Sequence, residues 1–337
     1  ILLPANSLMV YNTNAVMTGG TGEGYYYNSG TTLVPSWIRL ANVAPAVDTI
    51  NNWRLIGNAG TDPTVNFIGT TDNQPLRFRI NNINAGFIDS ISYNTSIGYR
   101  TLDDLFGWGS NNSAFGYQSL QFNSTGSRNT AVGKLSLNSN TIASDNIAVG
   151  YDALSYNSTS FRNIAIGNYA LRQLSYTAGN NNWGGYNIAI GYAALFSTNP
   201  SRQDSAIYNT AIGDESLTQN ISGFRNTAVG ARSMYYNISG VWNTALGVDA
   251  LRVNNTGSYN VGIGGEALAL SAPSDSNTAV GYAAAKNVDG GKGNTAIGAG
   301  SMSTNIVTGN DNTAIGRLAY TSGTSGNQNI AIGTEAL

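Results

Sequence analysis

The chain has no cysteine and no histidine, and it carries only 16 basic and 18 acidic side chains among 337 residues. Without those two residue types there is no thiolate nucleophile, no imidazole base, no Cys/His zinc site and no Ser-His-Asp triad. No disulfide can brace the fold. A net charge of −2 gives no electrostatic footprint for nucleic acid. The charged fraction of 10% is less than half of the roughly 25% of an ordinary soluble domain. No run approaches the ~18 consecutive apolar residues of a membrane helix, so no membrane insertion is expected of this segment. A basic stretch followed by the apolar core of a signal peptide is also missing. The chain opens on Ile1 rather than Met, which reads as a processed or partial product. Zero cysteine is compatible with an oxidising exterior.

What is present is 41 glycines, 45 asparagines, and hydrophobic residues at 41% with aromatics at 10%. That composition can bury a core, so the low charge does not signal disorder. The asparagines are ordered in sequence. A phrase Asn-(Thr/Ile)-Ala-(Ile/Val)-Gly, with variants, begins at Asn94, Asn112, Asn129, Asn146, Asn163, Asn187, Asn209, Asn226, Asn243, Asn260, Asn277, Asn294, Asn312 and Asn329. The spacing is 17 or 18 except for 24 after Asn163 and 22 after Asn187. A second phrase follows seven and eight residues later, as in Ala153-Leu154, Ala170-Leu171 and Ala250-Leu251. Several copies add Asn and Gly further on, as in Asn123/Gly126, Asn237/Gly240 and Asn254/Gly257.

A 17-residue unit is too short for a helix hairpin or a propeller blade, which need about 33–47 residues. It has room for two strands of four to five residues and two tight turns, one coil of a parallel β-solenoid. Thr-Ala-Ile bounded by Asn and Gly reads as the strand. Asn and Gly at the corners are expected to supply positive φ. Stacking places each motif Asn over its copy, so the amides form a ladder. About fourteen coils at roughly 4.8 Å give a rod of about 65 Å. Low charge follows, because stacking in register piles like charges into columns. Within the strand Thr/Ile and Ile/Val share one face, and Ala and Gly share the other. Such a strand resembles one buried on both sides. One thin coil cannot supply both layers, so sister chains packed in threes around an axis are the expected second layer.

The domains are read as a β-hairpin module over 1–41, a short β connector or cap over 42–93, and the solenoid over 94–337. Leu8–Asn14, Gly24–Gly30 and Trp37–Leu40 read as strands of the first module. In the second, strands are expected around Trp53–Ile56, Asn66–Gly69 and Leu76–Ile80, with Asn81-Asn82 turning into Ala85–Ile88. So small a unit cannot stand alone and should cover the open end of the solenoid.

The Asn-Thr-Ala-Ile-Gly phrase resembles the head repeats of trimeric autotransporter adhesins. The 17-residue period, the Ala-Leu pair and the Leu8–Leu40 segment look closer to phage tail-fibre-like and secreted fibre proteins, which often end in a self-cleaving intramolecular chaperone. The resemblance implies a left-handed β-roll, a homotrimer, and an extracellular role as surface appendage or particle fibre in cell adhesion or host attachment. Adhesin heads use a coil nearer fourteen residues, and no membrane anchor, coiled-coil stalk or chaperone domain is read within these 337 residues. The stop at Ala336-Leu337, in mid-coil, fits cleavage or truncation.

No enzymatic site is expected. Asp103-Asp104 and Asp214-Glu215 are neighbours that point to opposite faces of a strand, unlike an acid/base pair. The glycine runs at Gly262–Gly265 and Gly290–Gly293 do not match a phosphate loop. No Asp recurs at the fixed place a calcium β-roll needs, so no metal or cofactor is expected. Sequons such as Asn123-Ser124-Thr125 follow from the repeat composition. The insertions read either as tolerated surface loops or as loops that contact a receptor or glycan, with Trp183, Tyr186, Arg202 and Trp242 as candidate ligand-contact residues. Aromatics beside Asn amides suit sugars, although stacked columns that only stabilise the rod use the same residues. The expected role is a non-enzymatic spacer and adhesive fibre. The alternative is a solenoid that matches a repeating ligand such as ice or a polysaccharide through its Thr row. Ile147, Ile164, Ile188 and Ile330 interrupt that row.

Overall fold

The computed structural model describes residues 9–12, 16–17, 20–21, 24–29, 34, 36–39, 59–62, 64, 66–103, 109–174, 183–198, 205–271 and 273–337. They contain β-strands, turns and bends and no helix. The chain divides into two compact units, Ile1–Gly69 and Thr70–Leu337.

In the first unit the aromatic strand Gly24–Asn28 lies between Met9–Asn12 and Trp37–Arg39, antiparallel to both. Tyr26 is buried, and Tyr11 meets Tyr25 edge to face at 4.7 Å. The carbonyl oxygen of the Asn28 side chain accepts the Ser36 N–H at 2.9 Å. A second short antiparallel pair joins Val16–Met17 to Gly20–Thr21. The expected strand at Trp53–Ile56 lies outside the described residues. Asn66–Gly69 is not a strand. Asp62 accepts from the Thr64 N–H and hydroxyl, and the Asn66 side chain accepts the Asp62 N–H. Local side-chain bonds of this kind compete with a ladder.

The second unit is built on one 16-stranded sheet. Its first two strands, Leu76–Ile80 and Ile83–Ile88, form the hairpin expected from Asn81-Asn82, both of which sit at positive φ. Ile83–Ile88 pairs antiparallel with the first motif strand, Thr95–Ile97. The hairpin thus covers the start of the coil stack, and Phe87 fills its interior. Fourteen motif strands then run parallel to Ile330–Ile332 through thirteen unbroken pairings. The register is fixed: Thr227 faces Thr244, Ala228 faces Ala245, and Val229 faces Leu246. Neither insertion shifts it, since Ile164 pairs with Ile188 and Ile188 with Thr210.

Inside each coil, the motif Ala packs against the Leu of the second phrase. Ala131, Ala148, Leu137 and Leu154 are fully buried, as are their counterparts along the rod. Among the described residues each coil has one three-residue motif strand rather than the two longer strands expected, and only Ser160–Phe161 and Trp183–Gly184 add a second, two-residue pair. Over the second phrase φ alternates in sign instead: Asp152 and Leu154 sit at 60° and 52°. Their N–H groups therefore point to opposite neighbours, Asp152 to Lys134 O at 3.0 Å and Leu154 to Ala170 O at 2.9 Å. A left-handed leucine costs about 1–2 kcal/mol. Burying its side chain returns about 1.5–3 kcal/mol.

The corners also differ from expectation. The motif Asn itself is not at positive φ. The residue before it is, in all fourteen copies, from Tyr93 and Asn111 to Asp311 and Gln328. The motif Gly does take positive φ, near 130°. At Gly230 an added Cβ would sit 2.5 Å from Gly247 O in the next coil, so stacking itself requires glycine there. Several charges face the opposite sign one coil on. Arg128 pairs with Asp145 at 2.6 Å, Arg232 with Asp249 at 2.8 Å, and Arg317 with Glu335 at 2.7 Å.

Candidate interaction surface

The fourteen motif asparagines form one continuous interior column. Each side-chain oxygen accepts the backbone N–H of the next motif Asn, from Asn94 and Asn112 at 2.8 Å to Asn312 and Asn329 at 3.0 Å. Most of the side-chain N–H groups donate to a carbonyl at the far corner of their own coil, as Asn129 does to Ala143 O at 2.9 Å. A second column joins Asn123 to Asn140, and Asn220 through Asn237 to Asn254, at 2.7–2.9 Å. Burial takes both columns away from any ligand. Their chemistry is structural: they satisfy the polar groups that a narrow interior must enclose.

The strand residues on either side of the buried Ala turn outward. At the third motif position Ile166, Ile212, Ile263 and Ile297 are 36–40% exposed, and Leu246 is 48% exposed. With Phe115, Val132 and Ile315 they form an apolar row along the stack. Beside it runs the Thr/Ile row. The strand face expected to be buried on both sides is buried by this chain on the Ala side alone.

A third surface is an aromatic and guanidinium column at the left-handed corner. Successive coils place Arg162, Tyr186, Tyr208, Arg225 and Trp242 over one another. Arg162 lies 5.5 Å from the Tyr186 ring centre and donates to its hydroxyl at 2.8 Å. Tyr186 stacks on Tyr208 at 4.7 Å and 6°. Arg225 stands 5.8 Å from Tyr208 and 4.6 Å from Trp242. Phe161 and Phe224 flank the column. The rings spend their faces on one another, which favours a stabilising column over a flat platform for sugar rings. Tyr99 and Tyr117, after the motif glycines, stack similarly at 6.0 Å.

Of the four candidate ligand contacts, Tyr186 and Trp242 meet in this column with Tyr208 and Arg225 between them. Trp242 keeps 48% exposure. Trp183 lies in a two-residue strand, Trp183–Gly184, parallel to Ser160–Phe161. Arg202 lies outside the described residues. Of the acidic neighbours, Asp214 accepts the Tyr192 N–H at 3.1 Å, and Asp104 lies outside the described residues. Among the described residues no three or more acidic groups cluster as a metal site would need. Of the perturbed carboxylates Asp145 and Asp275 are ion-paired, whereas hydrogen bonds from Thr64 hold Asp62 below its usual range. The Arg128 hydrogen bond holds the Asp145 carboxyl below its usual range against the opposing effect of burial. No helix among the described residues is long and apolar enough to cross a membrane. The sequence did not single out one further feature, a cavity at the cap lined by Arg77, Arg79 and Arg100. No protein family, curated protein or solved structure matches the chain.

Proposed function

We propose that this chain is a rigid, non-enzymatic segment of an extracellular fibre, that it assembles as a homotrimer through the outward face of its motif strands, and that it serves as a spacer and adhesive element. The observation that carries the proposal is the half-exposed apolar row. A run of Ile, Val, Leu and Phe kept through fourteen strands on the outside of a nearly uncharged rod is the surface that association would bury. The amide columns support the spacer role, because every coil is bonded to the next along its interior.

Sedimentation equilibrium tests the assembly. A particle of three times the chain mass is expected, and a monomer at micromolar concentration overturns it. The Thr row favours a protein partner over an ice lattice, since Val261 breaks the run Thr210, Thr227, Thr244 on the same face. Activity in an ice-recrystallisation assay would reverse that preference.

A further inference from the structure

Three guanidinium groups line one cavity of about 300 Å³ at the cap: Arg77 and Arg79 from the strand Leu76–Ile80, and Arg100 from the first coil. Asn82, Ile83, Asn84 and Asp103 complete its lining. The register explains how the groups meet. Arg77 pairs with Phe87 and lies 5.6 Å from its ring centre, and Arg79, two residues on, pairs with Asn84 beyond a register shift between Phe78 and Arg79. The Arg100 N–H bonds Asn84 O at 2.8 Å, which ties the first coil to the hairpin. The floor is preset. Asn84 donates to Thr101 O at 2.7 Å, and its oxygen accepts the Gly86 N–H at 3.2 Å. Arg79 donates to the Asn82 oxygen at 2.8 Å, and Arg100 lies 5.8 Å from the Tyr99 ring centre. In a chain with only 16 basic residues, three at one cavity is a marked concentration of positive charge.

We infer that this cavity binds an acidic sugar, a saccharide unit carrying a carboxylate. Planar guanidinium forks match a carboxylate in two-point geometry. The Asn82 amide suits hydroxyl groups, and Ile83 offers an apolar contact for a ring face. Asp103 opposes a multiply charged phosphate or sulfate, which selects a singly charged ligand. A volume near 300 Å³ lies at the small end of ligand pockets and fits one or two sugar units. The site needs no sister chain, so it stands whether or not the rod trimerises.

The test is calorimetric titration of the full chain with the methyl glycosides of glucuronic, galacturonic and N-acetylneuraminic acid, with neutral methyl glucoside and sodium sulfate as comparison ligands. At least one acidic glycoside is expected to saturate a single site, with the neutral glycoside and sulfate at least tenfold weaker. Arg79→Gln and Arg100→Gln should each weaken it about tenfold, the loss of one charge-assisted hydrogen bond. Asp103→Asn should bind at least as tightly as the parent, which a merely destabilised cap would not do. Absence of binding by all three acids, equal affinity for the neutral glycoside or for sulfate, or affinity unchanged in Arg79→Gln/Arg100→Gln each overturns the assignment.

Discussion

Replacing Asn226 with Ala removes one rung of the interior column. Its side-chain oxygen accepts the Asn243 N–H at 3.0 Å and the Asn243 side-chain N–H at 3.2 Å. Its own N–H group donates to Gly240 O at 2.8 Å and to the Asn209 side-chain oxygen at 3.2 Å. Three of these partners keep a second bond: Asn243 still donates to Gly257 O, Gly240 O still accepts from Asn237, and Asn209 still accepts the backbone N–H of residue 226. The buried N–H of Asn243 keeps none. Leaving it unpaired costs about 1–3 kcal/mol, and each weakened bond adds up to about 1 kcal/mol. A total near 3–4 kcal/mol follows, which lowers protection of the Asn243 amide against hydrogen exchange by about two to three decades. Exchange should be measured beside Asn255→Ala, whose side chain holds no hydrogen bond among the described residues. Protection within threefold of the parent would refute the structural role of the column. Asn226→Asp gives a second reading. A carboxylate there is buried and faces Gly240 O, so its folded pKa is raised. Its penalty therefore grows as pH rises through the usual Asp range and is relieved in acid.

Further outcomes follow from the same packing. Gly230→Ala places a methyl group 2.5 Å from Gly247 O at a φ of 131°, so it should lower the melting temperature far more than Ala231→Gly beside it. Leu217→Ala empties a buried position and should cost about 2–5 kcal/mol in urea unfolding. Tyr208→Ala, at the exposed corner, should cost about 0.5–1.5 kcal/mol through its lost stacking. The Asp145 carboxyl has a depressed folded pKa, so its contribution is present above the ordinary value near 3.9 and is lost as pH falls through the folded value. Because Arg128 is largely exposed, Asp145→Asn should cost little at pH 7, and the difference from the parent should shrink as pH falls through the folded value.

The repeat made the solenoid legible because in-register stacking assigns one environment to each motif position. Asn needs its copy one coil away, Gly must admit the next backbone, and Ala must fit a narrow interior. That is why Asn129, Gly133 and Ala131 could be placed without coordinates. The second phrase was harder. Leu154 has no local preference for a left-handed backbone, and only its burial and its bond to Ala170 O hold it there. For the same reason the left-handed corner falls on Arg128, Asp145 or Trp242, types that propensity would not choose, rather than on the motif Asn. Tyr186 and Trp242 could be nominated by type, but their shared column required knowing that insertions of different length leave the register intact. The cap cavity left no signal, since Arg77, Arg79 and Arg100 are brought together by the antiparallel pairing of Leu76–Ile80 with Ile83–Ile88.

The assembly proposal depends on which face meets a sister chain, and the absence of cysteine permits a direct measurement. A single spin label on Val229→Cys sits in the outward apolar row, and one on Thr256→Cys sits on an exposed turn outside the strand. Dipolar spectroscopy on the two singly labelled chains compares the faces. Strong coupling with three-spin modulation depth at position 229, and weaker coupling at longer distance at 256, is the predicted result. No coupling at 229, or shorter distances at 256, would contradict a trimer built on the motif strands.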